Sequence, residues 1–175
     1  MAVLVEGISV IVRRDSIARC LPGEWTEFEK LVPNATLCTD DELARVGFMH
    51  PRDVESFVTL IEGLGLRYVE NDEAVDIAVV CAQTGPAVHC EWLEFYCAQL
   101  DTPQQVVLAA RLIGGTQELL ATPDDWTWEG SLTAKGTFVL TEEMPNQLRF
   151  LRHEGSLDVY LDLTTGQEVF VGRPS

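Results

Sequence analysis

His89, Cys90, Glu91, Glu94 and Cys97 crowd into one short stretch, HCEWLEFYC, which places imidazole, thiol and carboxylate groups in close succession. Two kinds of chemistry use such groups. Imidazole and thiolate hold transition metals, and an imidazole beside a carboxylate or thiol moves protons or activates a nucleophile. The direction of each side chain decides between them. In a strand, alternate residues share a face. Cys90, Trp92, Glu94 and Tyr96 then point one way, and His89, Glu91, Leu93, Phe95 and Cys97 the other. His89 and Cys90 diverge and cannot meet on one ion, whereas His89 and Glu91 share a side and are candidate ligand-binding residues. Structural zinc sites draw on four ligands, often paired as Cys-x2-Cys. The cysteines at 20, 38, 81, 90 and 97 contain no such pair, and no His-Glu-x-x-His occurs. The expectation is a core strand over 89–97, with no metal and no cofactor.

A second candidate lies in DDWTWEG, where Trp126 and Trp128 share a face if the chain is extended. Two indoles beside Asp124, Asp125 and Glu129 would suit a cationic or ring-shaped ligand. Of the other histidines, His50 precedes Pro51 and reads as a helix-entry residue, and His153 precedes Glu154-Gly155 and reads as part of a hairpin turn. Dinucleotide, phosphate-loop and nucleophile-elbow signatures are absent from the sequence.

The elements that must position these residues follow from periodicity. Residues 2–13 alternate as a strand with a mostly apolar second face. Short helices are expected from Asp15 through Arg19 and over EWTEFEKLVP. Thr39 and Glu42 have capping-box spacing, predicting a helix over DDELARV that stops at Gly47. Val54, Phe57, Val58, Ile61 and Leu64 form an apolar stripe behind Pro51, predicting a well-formed helix over about 51–63. Two consecutive helices would resemble a helix-turn-helix. The second offers Arg52 alone beside Asp53 and Glu55, a poor surface for base edges, so nucleic acid is not an expected partner. AVDIAVVCAQ and the segment around 88–98 then read as a hairpin turning at TGP, with 105–114 as a third strand. Residues 115–136 look loop-like, with a short helix near Leu119. GTFVLTEE, LRFLRHE, SLDVYLDL and QEVFVG read as a meander.

Taken together, these elements predict one globular α+β domain over 1–175: a mainly antiparallel sheet with the 51–63 helix and one or two shorter helices on one face. The chain is long enough to bury about 70% of its unfolded surface. With 28 acidic residues against 12 basic ones, the formal charge is −16. That charge opposes nucleic acid and anionic membranes and favours a basic protein partner. Arginine is strongly preferred over lysine, a bias that fits a GC-rich bacterial genome. The positive charges at the N-terminus follow the apolar run instead of preceding it, so neither an export signal nor a membrane span is expected. Five cysteines, an odd number, are expected to be reduced thiols in a cytoplasmic protein. The expected function is a non-catalytic binding or protein-interaction module that neutralises a basic partner, as immunity proteins do. The alternative is a small enzyme or small-ligand-binding protein with a pocket near Trp126, Trp128 and the 89–97 strand.

Overall fold

Ile8, Val10 and Val12 alternate with Ser9, Ile11 and Arg13, and both faces of that strand are used in the computed structural model of the chain. The structure describes residues 2–115, 119–135, 148–154, 157–162 and 168–172. They fall into two compact units, Met1–Trp126 and Thr127–Ser175.

The first unit runs β1 (Ala2–Val5), β2 (Ile8–Arg13), α1 (Arg14–Cys20), α2 (Glu24–Leu31), β3 (Cys38–Thr39), β4 (Leu43–Phe48), α3 (Pro51–Glu62), β5 (Val69–Glu70), β6 (Glu73–Ala74), β7 (Ile77–Cys81), β8 (Gly85–Pro86), β9 (Leu93–Gln99), β10 (Val106–Leu112) and β11 (Leu120–Ala121). Five strands pair antiparallel in the order β3-β4-β2-β7-β8, and four more form a sheet in the order β11-β1-β10-β9. The architecture is α+β with mainly antiparallel pairing. Among the described residues, no helix is long and apolar enough to cross a membrane.

Register explains the core. Val10 lies opposite Val46 and Val79, and Val12 opposite Ala44 and Ile77. One face therefore presents a continuous apolar layer, onto which α1 with its C-cap Leu21, α2 and α3 deliver Ile17, Leu21, Phe28, Val54, Phe57, Val58 and Ile61. The Phe28 and Phe57 rings meet edge-on with centroids 6.2 Å apart, an arrangement that aromatic quadrupoles favour. As expected, Pro51 opens α3 and His50 sits at its N-cap.

Several expectations are corrected. The 2–13 strand is two strands, because Gly7 takes a φ of +59° and carries the chain from one sheet to the other. The helix predicted over 40–46 is instead the β3–β4 turn and strand β4. Asp40 Oδ1 accepts hydrogen bonds from the amides of Glu42 and Leu43 at 2.7 and 2.6 Å, an Asx-type turn that competes with a helix cap. All six residues of β4 are buried, and a run buried on both sides carries no period that separates strand from helix. With that helix gone, no helix-turn-helix forms. The predicted hairpin between 74–83 and 88–98 also fails: TGP folds β7 back only onto the short β8, and β9 pairs with β10 in the other sheet. Finally, Leu119 leads into β11, which pairs parallel with β1.

In the second unit, β12 (Leu148–Glu154), β13 (Leu157–Asp162) and β14 (Glu168–Gly172) form the expected antiparallel meander. Arg152 donates through both terminal nitrogens to the Glu168 carboxylate, at 2.8 and 3.0 Å. His153 lies within β12 opposite Asp158, not in the turn. The predicted GTFVLTEE strand lies outside the described residues.

The second face of the five-stranded sheet holds a buried cation. Arg45 is 3% exposed. Its Nε donates to Ser9 Oγ at 2.9 Å and its Nη2 to the Glu6 carbonyl at 2.8 Å. Burial pushes its pKa down, opposed by Cys38 and Glu6, and a guanidinium keeps its charge in proteins. Gly47 makes room for it, since a Cβ there would stand 2.7–3.0 Å from the Arg45 guanidinium atoms. Gly47→Ala should therefore cost about 1–3 kcal/mol, the usual range for overpacking. In an Arg45→Leu background the same change should cost less, because the colliding group is gone. A double-mutant cycle by urea denaturation reads the coupling; strict additivity would rule out the clash.

Candidate functional site

Three segments wall a cleft of about 430 Å3. The first is the hairpin of β5 and β6. Asn71 and Asp72 both take positive φ, +52° and +64°, as a two-residue type I′ turn requires, and Asn and Asp tolerate that region best after glycine. The turn sets Glu70 opposite Glu73. Arg67 Nη1 holds the Glu70 carboxylate at 2.8 Å.

The second segment brings Glu91 and Trp92 to the cleft, and over 89–92 the structure departs from expectation. The strand covers Leu93–Gln99, and Glu91 and Trp92 form a turn before it. His89 makes an isolated parallel bridge to Glu73. The backbone of Ala74 fastens this segment at two points. Its amide donates to the His89 carbonyl at 2.8 Å, and its carbonyl accepts from the Trp92 indole N–H at 3.0 Å. Cys90 is half-buried. Burial pushes its thiol pKa up, ahead of the opposing amides of Trp92 and Leu93 and the charge of Arg13, so it is held protonated and is a poor nucleophile.

Arg13 supplies the third wall. Its guanidinium lies 5.8 Å from the Trp92 ring centroid, and its Nη2 pairs with Asp15 at 3.0 Å. Glu70, Glu73, Glu91 and the Trp92 indole complete the polar and aromatic lining.

Asp76 aligns these walls. Its side chain is 3% exposed. Oδ1 accepts from Ser16 Oγ at 2.7 Å and Arg19 Nη2 at 2.8 Å, and Oδ2 from the Arg67 amide at 2.9 Å. Its backbone carbonyl receives the Arg13 amide and its own amide donates to the Arg67 carbonyl. Burial alone would raise the carboxyl pKa, but the Ser16, Arg67 and Arg19 donors outweigh it and the net shift is downward.

The structure brings His89 and Glu91 together, and adds Glu73. One ligand atom from each of the three lies within 4.8 Å of the others, all three being exposed. His89 Nδ1 stands 3.8 Å from Glu73 Oε1, beyond hydrogen-bond reach. Trp126 has another occupation: its indole N–H donates to Glu6 Oε2 at 3.2 Å. Trp128 belongs to the other compact unit, where its carbonyl accepts from Ser131 Oγ at 2.6 Å. Glu70, Glu73, Arg13 and Trp92 escaped the sequence reading. The one local signal was ENDE, whose central pair suits a type I′ turn and would have set the two glutamates opposite each other.

The chain matches no protein-family model, and no curated protein or solved structure is significantly similar to it.

The lowered Asp76 carboxyl fixes a pH dependence. Its contribution to stability is complete above the unfolded value, about 3.9, and is lost as pH falls through the lower folded value. Asp76→Asn should destabilise the protein at pH 7 by about 1.5–3 kcal/mol, the range for hydrogen bonds to a charged group. The gap between variant and parent should narrow below about pH 4. Urea melts at pH 7, 4 and 2.5 measure it, and a gap independent of pH would contradict the assignment.

Proposed function

We propose that the protein is a non-catalytic binding module that receives a basic side chain of a protein partner in the cleft walled by Glu70, Glu73, Glu91 and Trp92. The observation that carries this reading is the composition of the cleft. Three glutamates and an indole line it, Glu70 being paired with Arg67, against one lining guanidinium that is paired with Asp15 and laid beside the indole. A lysine or arginine entering there would rest its apolar stem on Trp92 and bring its head to the carboxylates. Arg13 occupies the neighbourhood of that ring in the same manner.

The net charge of −16 extends the attraction beyond the cleft, steering a basic surface toward the protein and raising the encounter rate at low salt. The five cysteines are free thiols, which suits a reducing compartment such as the cytoplasm. Cys90, the one thiol beside an imidazole in sequence, is held protonated, which supports binding over nucleophilic catalysis.

An arginine-rich peptide labelled for fluorescence anisotropy tests this directly. Exposed ion pairs contribute about 0.2–1 kcal/mol each, so Glu70→Gln, Glu73→Gln and Glu91→Gln together should weaken binding by roughly threefold to a hundredfold. Neutralising three remote carboxylates, Glu29, Asp53 and Glu55, removes the same charge and should have a much smaller effect. Equal losses in the two triple variants would show that bulk charge, and not the cleft, binds the peptide.

A further inference from the structure

We infer that Glu73, His89 and Glu91 form a binding site for a divalent transition-metal ion of the Zn2+ class, two of whose ligands also line the cleft. The site shares Glu73 and Glu91 with the cleft of the basic-partner reading, and His89 is the ligand that reading does not use.

Three observations carry it. The first is donor chemistry. An imidazole nitrogen with two carboxylates is a mixed N/O set, which suits Zn2+, Co2+ or Ni2+ better than the all-oxygen shells of Ca2+ and Mg2+. The second is spacing. Bonds of about 2.0–2.1 Å in a tetrahedron place ligand atoms roughly 3.3 Å apart. His89 Nδ1 and Glu73 Oε1 are already 3.8 Å apart, and the full trio lies within 4.8 Å. Closing on an ion takes shifts of about an ångström or so, which exposed side chains make by small rotations.

The third is a hydrogen-bonded backbone beneath exposed side chains. Glu73 comes from a hairpin and His89 from a segment sixteen positions later, yet the bridge between them and the Ala74 amide bond to the His89 carbonyl hold their backbones side by side. The Trp92 indole bond to the Ala74 carbonyl secures the turn that presents Glu91. Much of the ordering entropy of assembling ligands from separate segments is therefore met in folding. Three protein ligands leave at least one coordination position for water or an exogenous donor, as in open zinc sites.

His89 is exposed, so replacing it should leave the fold intact, which far-UV circular dichroism checks. Zn2+ titrated against a chromophoric chelator should bind at one equivalent per chain. His89→Ala and Glu73→Gln should each weaken binding by at least about tenfold, the loss that even a change outside the ligand shell produces in metal sites. Co2+ should give visible absorption bands that vanish in His89→Ala, and long-range 1H–15N spectra should show Zn2+ moving the His89 ring signals and leaving those of His50 and His153 in place. Cys90→Ser should bind Zn2+ as the parent does. Parental Zn2+ affinity in His89→Ala overturns the site, as does loss of binding in Cys90→Ser or equal perturbation of all three histidines. The peptide assay separates the two proposals: His89→Ala should keep its peptide affinity, and Glu70→Gln should keep its Zn2+ affinity.

Discussion

A carboxylate buried at 3% exposure would be intolerable without donors, and the first unit is arranged around giving Asp76 its donors. Ser16 and Arg19 come from α1 and the Arg67 amide from the chain after α3. The backbone of the same residue meets the end of β2 and the residue that starts the path to the hairpin. One residue, through its side chain and its backbone, therefore ties together the helix, the central sheet and the chain leading to the hairpin. The cleft inherits this geometry, because Arg13 at the end of β2 and Glu70 and Glu73 on the hairpin are placed by bonds to Asp76 or to its immediate neighbours.

Arg45 is the complementary case on the other face of the sheet. A guanidinium is less strongly hydrated than an ammonium and offers five donors in a planar fork, so it can be buried where its directions are matched. Ser9, the Glu6 carbonyl and the Thr36 carbonyl match them. The Glu6 carbonyl is available because the chain breaks between β1 and β2 at Gly7. Glu6 also receives Trp126 through its carboxylate, so the strand break, the buried cation and the last residue of the unit form one connected arrangement. Gly47 belongs to it by what it lacks. The neighbouring loop bonds to the Gly47 backbone through Asn34 Nδ2 and Thr36 Oγ1, and the absent Cβ leaves the space that the guanidinium fills.

How much of this was legible in the sequence depended on whether the information was local. The helix α3 was, because Pro51 at its start and an apolar stripe at 3.6-residue spacing both lie within the segment. The three described strands of the meander, and the extended run that became β10, were as well. Strand β4 was not, since capping-box letters at Thr39 and Glu42 are equally served by an Asx turn at Asp40, and burial on both faces erased the period. The opening stretch was legible only in part. Alternation correctly marked Leu93 onward as strand, but the residues before it are tied to Ala74 by the long-range Trp92 indole bond, which no local pattern announces. For the site, His89 and Glu91 were identifiable by residue type. Glu73 was not, because only the tertiary bridge brings it beside His89.

The contrast between backbone and side chains at the cleft bears on what it can recognise. The main-chain bonds through Ala74 lie at a residue that is 6% exposed, where water does not compete and hydrogen bonds hold well. The side chains they position are exposed glutamates and a histidine, whose ion pairs are individually weak in water. Rigidity thus resides in the frame and adaptability in the charged groups. A ligand that satisfies a single carboxylate gains little, whereas one that meets two or three at the spacing the frame imposes gains several small terms at once, with little further ordering of the backbone. For ligands of the proposed kinds, selectivity is therefore a matter of matching the separation set by the Glu73–His89 bridge and the Trp92 indole bond, more than of the strength of any one contact.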